Sequence, residues 1–189
     1  PCLFEIKLDE STIQLSKIKT LEPYFKEDLS LRINLFARGS LQDFEVKIDV
    51  KDRFKSLLSG FVRVINVFEK DKASYHSENF KIRTSDNALH ELFNQNIYNQ
   101  ISAYSNNVGI LSVDSNFSGS QNNWDIQLKS TSNIGEFRSN VFLNRTSKTN
   151  PWNYKINLGI KNFDLGRLLN RKTITRATAT VNINGVLED

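Results

Sequence analysis

The chain is predicted to be all-β, built from antiparallel-type, half-buried strands with few short helices. Three observations carry that prediction: apolar and polar residues alternate with period two along most of the chain, helical spacing is confined to brief stretches, and a Gly–polar turn–aromatic pattern recurs.

In chain order, Phe4, Ile6 and Leu8 suggest a first strand and Thr12 to Ile18 a second. Leu29, Leu31, Ile33 and Leu35 then alternate with Ser30, Arg32 and Asn34, so one face of that strand is dry and the other wet. Phe44, Val46, Ile48 and Val50 repeat the pattern, and Phe61 to Phe68 and a stretch around Ile82 follow it more weakly. Ser85 and Asp86 are placed to cap a short helix through Ala88, Leu89 and Leu92, the acid lying at the positive end of the helix dipole. The Asn-rich stretch from Asn94 to Asn107 reads as a loop or frayed helix. Strands resume over Leu111–Phe117, Trp124–Leu128, Phe137–Leu143 and Tyr154–Ile160. A second short helix is expected after Asp164, through Leu165, Leu168 and Leu169. Ala177, Ala179, Val181 and Ile183 close the series in a segment rich in β-branched residues. Pro23, Gly60 and Pro151 read as punctuation between runs.

The repeat is the most informative internal feature. Gly39-Ser40-Leu41-Gln42-Asp43-Phe44 aligns with Gly119-Ser120-Gln121-Asn122-Asn123-Trp124: a strand ends at Gly, polar residues turn, and an aromatic opens the next alternating strand. Gly185 to Asp189 begins a third copy. Each unit presents an apolar face that it cannot cover alone, so neighbouring units are expected to share one interior. The chain opens on Pro1-Cys2 and has no Met in its 189 residues, and we read residues 1–189 as a single β-rich segment of a longer protein, truncated at both ends.

Composition narrows the chemistry. With 39% apolar and 24% charged residues the chain can bury a core, and it is neither disordered nor collagenous. No apolar run approaches the length of a membrane-spanning helix. The single Cys2 cannot make an internal disulfide and has no base placed beside it. His76 and His90 lack metal-ligand spacing and read as solvated side chains; no metal or other cofactor is expected. Asp49, Asp52, Asp114 and Asp125 are candidates for carboxylate pairs, but Asp49 and Asp125 take the outward phase of their strands. No phosphate-binding loop or nucleophile-elbow motif is present, and an enzyme is not expected. The 25 Lys and Arg against 21 acids are dispersed, which argues against nucleic acid. The densest group, Arg167, Arg171, Lys172 and Arg176, reads as a soluble rim, with anionic lipid headgroups the competing use. The sequons at Asn116 and Asn144 read as accidents of composition.

From about Glu27 onward the chain resembles the C-terminal region of the TamB translocation and assembly proteins, part of the AsmA-like group. The stretch Tyr154-Lys155-Ile156-Asn157-Leu158-Gly159-Ile160-Lys161-Asn162-Phe163-Asp164-Leu165-Gly166-Arg167-Leu168-Leu169 looks like that family's strand followed by its "nFdLGkLL" turn. Thr173 to Gly185 looks like its next strand, closing on Gly, and Leu29 to Phe44 like its strand, loop and strand. The resemblance implies a long curled sheet, taco-like in section, with an apolar concave face. It implies a non-enzymatic, periplasmic part of a protein bridging the inner and outer membranes, handling phospholipid acyl chains or outer-membrane barrel proteins together with an outer-membrane assembly partner. On that reading Leu31, Ile33, Val46, Ile48, Trp124, Ile126, Leu128, Ile156, Leu158 and Val181 line the groove. Burying an acyl chain at about 0.8 kcal/mol per CH₂ is worth on the order of 10 kcal/mol, but a sheet that closed on itself would gain similar area. The alternative is therefore a closed β-sandwich binding a glycan or protein partner through loops such as Thr146 to Trp152. Open sheet edges are expected to favour self-association or capture of a client strand.

Overall fold

A computed structural model describes residues 2–19, 23–27, 29–52, 57–69, 71–173 and 175–187. Ten strands form one antiparallel sheet in simple chain order: β1 Leu3–Gln14, β2 Ser30–Ser40, β3 Asp43–Lys51, β4 Leu57–Ile65, β5 Ser74–Thr84, β6 Leu111–Ser120, β7 Asn123–Ser132, β8 Gly135–Asn144, β9 Trp152–Asp164 and β10 Arg176–Leu187. β1 and β10 do not pair with each other, so the sheet is not closed into a barrel. The closed sandwich requires two sheets; among the described residues there is one, because each strand hydrogen-bonds only to its neighbours in sequence.

Where the alternation is clean, strands form as expected. The expected strand from Thr12 ends early, at Gln14, and passes into a single 3₁₀ turn, Leu15–Lys17. Phe68 lies beyond β4, 74% exposed. Gly60 does not punctuate but lies inside β4: a Cβ there would stand 2.4 Å from the Phe80 ring, so the missing side chain makes room for that ring. Of the third repeat copy, Gly185 to Leu187 complete β10, while Glu188 and Asp189 lie outside the described residues.

Three bulges bend the sheet, one each in β1, β5 and β9. They centre on Glu10 (φ 46°), Asn79 (φ 58°) and Asn162 (φ 52°), each at a shift in register. The amide freed by each bulge is satisfied in the same way. Glu10 donates to Asn34 Oδ1 at 2.8 Å, Asn79 to Asn116 Oδ1 at 2.8 Å, and Asn162 to Thr178 Oγ1 at 3.1 Å, the acceptor always on the following strand. A bulge bends its strand and increases local twist, and its recurrence every fourth strand gives the sheet a structural period that matches the Gly–aromatic repeat.

The bulged strands are those followed by the long connections. α1, Asp86–Leu92, and α2, Gln95–Val108, join β5 to β6; α3, Leu165–Leu168, joins β9 to β10. Ser85 caps α1 by accepting from the Ala88 amide at 3.4 Å, and Asp164 caps α3 by accepting from Arg167 at 2.8 Å, as the sequence predicts. The Asn-rich stretch, expected as a loop or frayed helix, is helical over Gln95–Val108. Asn94 caps it by accepting from Ile97 at 3.0 Å, Gly109 ends it at φ 72°, and Ile97, Ile101, Ser105 and Val108 share its inward side. Packing of that side overrides the weak helix propensity of Asn.

These helices gather one end of the sheet. α1 packs on α2, α2 on α3, and α3 on β10. The connection between β1 and β2 joins them through Phe25, stacked on Phe93 at 5.4 Å, and through the Asn94 amide, which donates to Tyr24 O at 3.0 Å. Ile134, in the β7–β8 turn, is 2% exposed and receives the Asp164 amide at 2.6 Å. The opposite end holds the two-residue turns at Leu41–Gln42 and Gln121–Asn122.

Candidate functional site

Strand register determines which side chains share a face, because directly paired residues in an antiparallel sheet point the same way. One row runs Ile6–Ala37–Val46–Val62–Ser77–Phe117–Ile126–Val141–Ile156–Ile183 across all ten strands. Beside it, Ser115, Leu128, Ser139, Leu158 and Val181 continue a second row, and Leu8, Leu35 and Ile48 begin it. All ten predicted lining residues, from Leu31 to Val181, therefore lie on one face. At about 4.8 Å per strand, the rows extend roughly 43 Å.

Among the described residues, no second sheet covers this face. The protein exposes 12832 Å², whereas a compact monomer of 21.7 kDa exposes about 9,200 Å². Among the described residues, the strand positions that are buried (Leu31, Ala37, Val64, Ser77, Ser130 and Ser139) all lie on the apolar face. Four of the six, Ala37, Ser77, Ser130 and Ser139, are small residues set between larger side chains on the same face. Exposure rises toward the edges: Ile6 is 50% and Leu8 44% exposed on β1, Val181 41% and Ile183 44% on β10. The other predicted lining residues are half-buried, apart from buried Leu31.

Sequence reasoning missed the aromatic border of this face. On the row nearest the tight turns, Phe4, Phe44, Tyr75, Trp124 and Tyr154 occupy the odd-numbered strands and Gly or an aliphatic residue the even-numbered ones. Rings lean together over the glycines: Phe4 and Phe44 approach to 5.7 Å across Gly39, and Tyr75 stacks on Trp124 at 5.9 Å across Gly119. The Gly–aromatic repeat was the visible half of this arrangement. Its other half, the ring on the preceding strand, is separated from the glycine by tens of residues.

The opposite face is mostly polar, with Phe36, Phe61 and Phe142 set among its charges. Asn116, Gln127, Asn140, Asn157 and Asn182 form an amide row on β6 to β10. Asp114 faces Lys129 across β6 and β7, and Lys129 in turn faces the like charge of Arg138 on β8. Arg63 grips Asp43 through two hydrogen bonds of 2.9 and 2.6 Å, which hold the Asp43 carboxyl below its ordinary range. Asp49 and Asp125, both in the outward phase, each keep one carboxylate oxygen shut off from solvent with no hydrogen-bond partner, and that of Asp49 lies 3.4 Å from the Lys51 ammonium.

The remaining candidates do not converge on chemistry. His76 contacts Glu78 at 3.3 Å and His90 contacts Glu91 at 3.5 Å. His90 also abuts the edge of Tyr98, and the Tyr98 hydroxyl donates to Asp86 at 3.0 Å, with Ser105 donating to the same carboxylate. Burial first, then the hydrogen bond to Asp86 and its charge, raise the Tyr98 phenol above its ordinary value. This cluster pins α1 to α2. No group of three metal-ligating side chains occurs among the described residues. Cys2 is exposed. Arg167, Arg171, Lys172 and Arg176 are all exposed, around α3 and the start of β10. In the loop after β8, Arg145 lies over the Trp152 ring at 4.5 Å and bonds to the Lys148 and Gln121 carbonyls, occupying one indole face that a sugar would need.

A scan against protein-family models found no match, and comparisons with curated proteins and with solved structures found none either.

Proposed function

We propose that this chain is a groove segment, a non-enzymatic part of a TamB-like envelope protein in which the apolar face serves phospholipid acyl chains or strands of outer-membrane proteins in transit through the periplasm. One observation carries the reading: mostly apolar residues stay in register across ten strands on a face that, among the described residues, no second sheet covers. An oily surface kept open must be covered by something apolar. The rows run perpendicular to the strands, so an extended chain lying along them meets mostly apolar side chains, interrupted by Ser77 in one row and by Ser115 and Ser139 in the other. The mechanism needs no acid, base or metal, only a dry, continuous surface with a wet back.

The test uses vesicles of phosphatidylethanolamine and phosphatidylglycerol containing a phospholipid with a fluorescent acyl chain. The chain is expected to extract the probe, and Ile126→Glu and Ile156→Glu to abolish extraction while Gln127→Glu, on the polar face, retains it. Lack of extraction by the unmodified protein, or retention by folded Ile126→Glu and Ile156→Glu, would overturn the proposal.

A further inference from the structure

The polar face carries a cavity that the groove does not use. It measures about 230 Å³ and lies over β5, β6 and β7, in the middle of the sheet beside the bulge at Asn79, lined by His76, Glu78, Asn116, Ser118, Asp125 and Gln127. His76, Ser118 and Asp125 are successive cross-strand partners, and so are Asn116 and Gln127, which sets these side chains next to one another on one face. Most of their hydrogen-bonding capacity is unused. Among the described residues, the side chains of Ser118, Asp125 and Gln127 make no hydrogen bond or ion pair, and Asn116 uses only its carbonyl oxygen, which accepts the Asn79 amide.

Two further observations narrow what fits there. Phe142, 40% exposed, is the cross-strand partner of Asp125 on β8, and the two residues, with Ser118, line a second cavity of about 290 Å³. From Asn116 and Gln127 the amide row continues through Asn140 to Asn157, one carboxamide per strand at about 4.8 Å spacing. The carboxamides of Gln127, Asn140 and Asn157 have no partner among the described residues.

Glu78 and Asp125 repel an anionic ligand, and a polycation would find no charge in the amides that make up the row. A neutral chain of sugar rings carrying acetamido groups uses every feature. Its hydroxyls donate to Asp125 and exchange hydrogen bonds with Ser118, the C–H face of a ring covers Phe142, and each carboxamide offers a donor and an acceptor to the acetamido group it meets.

We propose that this face binds a neutral glycan of N-acetylhexosamine units, with one ring in the cavity at Asp125, the next over Phe142 beside Asn140, and the chain continuing toward Asn157. A few convergent polar groups fix the orientation of the rings, and the covered aromatic adds affinity. The inference rests on the polar face alone and stands independently of any lipid on the apolar one.

The probe is the β-1,4-linked tetramer of N-acetylglucosamine, titrated into the full chain by isothermal calorimetry. Saturable binding is expected, weakened about tenfold or more in Asp125→Ala and in Phe142→Ala, with both variants shown to be folded by circular dichroism. The β-1,4-linked tetramer of glucose, which has the hydroxyls but no acetamido groups, should bind about tenfold more weakly or worse. Absence of binding by the parent, undiminished binding by both folded variants, or equal binding of the glucose tetramer would each overturn the proposal.

Discussion

Tyr75 and Trp124 stack 12° from parallel across Gly119, although their strands are not neighbours. Two rings on strands separated by another strand can meet only if the residue between them has no side chain, so the glycine and the ring pair form one packing unit. A Cβ on Gly119 would stand 2.1 Å from the Trp124 ring.

Gly119→Ala must therefore displace the indole and break the stack. A cost of about 1–3 kcal/mol is expected, read as a lower urea midpoint. Gly159→Ala is the matched comparison, since nothing lies within 4 Å of its added Cβ. That variant should fall within about 0.5 kcal/mol of the parent. Equal losses at both sites would refute the packing account.

The bulge at Asn79 depends on Asn116, which accepts its amide at 2.8 Å. Asn116→Ala should cost about 0.5–1.5 kcal/mol, and Asn34→Ala, which removes the acceptor for Glu10, a similar amount. Thermal or urea melts can measure both, and Asn140→Ala in the same amide row, with no bulge to serve, should be closer to neutral.

Tyr98 gives a pH dependence. Its folded-state value is raised, so the stability linked to it is complete below the ordinary phenol value of 10.0 and is lost as pH rises through the folded value. Tyrosine absorbance should show one phenol ionising late. In Asp86→Asn that ionisation should move back only part of the way, because burial, the largest cause, remains. An unchanged titration would remove Asp86 from the account.

Asp43 predicts the opposite sign. Its depressed folded-state value means that the Arg63 pair stabilises the fold above the ordinary carboxylate value of 3.8 and loses that effect as pH falls through the folded value. The gap in urea midpoint between the parent and Asp43→Asn should narrow with acidification and with added salt, since both partners are partly exposed. A gap constant with pH would count against the pair.

The linear pattern by itself determined the strands and their dry side. Period-two alternation commits each residue to a face, and once consecutive strands pair antiparallel, the predicted lining residues from Leu31 to Val181 must share one surface. The caps at Ser85 and Asp164 were equally local. Tertiary structure alone decided what depends on partners distant in sequence. Asn34, Asn116 and Thr178 satisfy the bulges, Phe80 fills the space at Gly60, α2 forms because its inward side packs, and Tyr75 reaches Trp124 over Gly119. Side-chain phase is carried by adjacent residues and survives in a one-dimensional pattern, whereas register, bulges and ring contacts arise only when segments tens of residues apart are brought within a few ångströms.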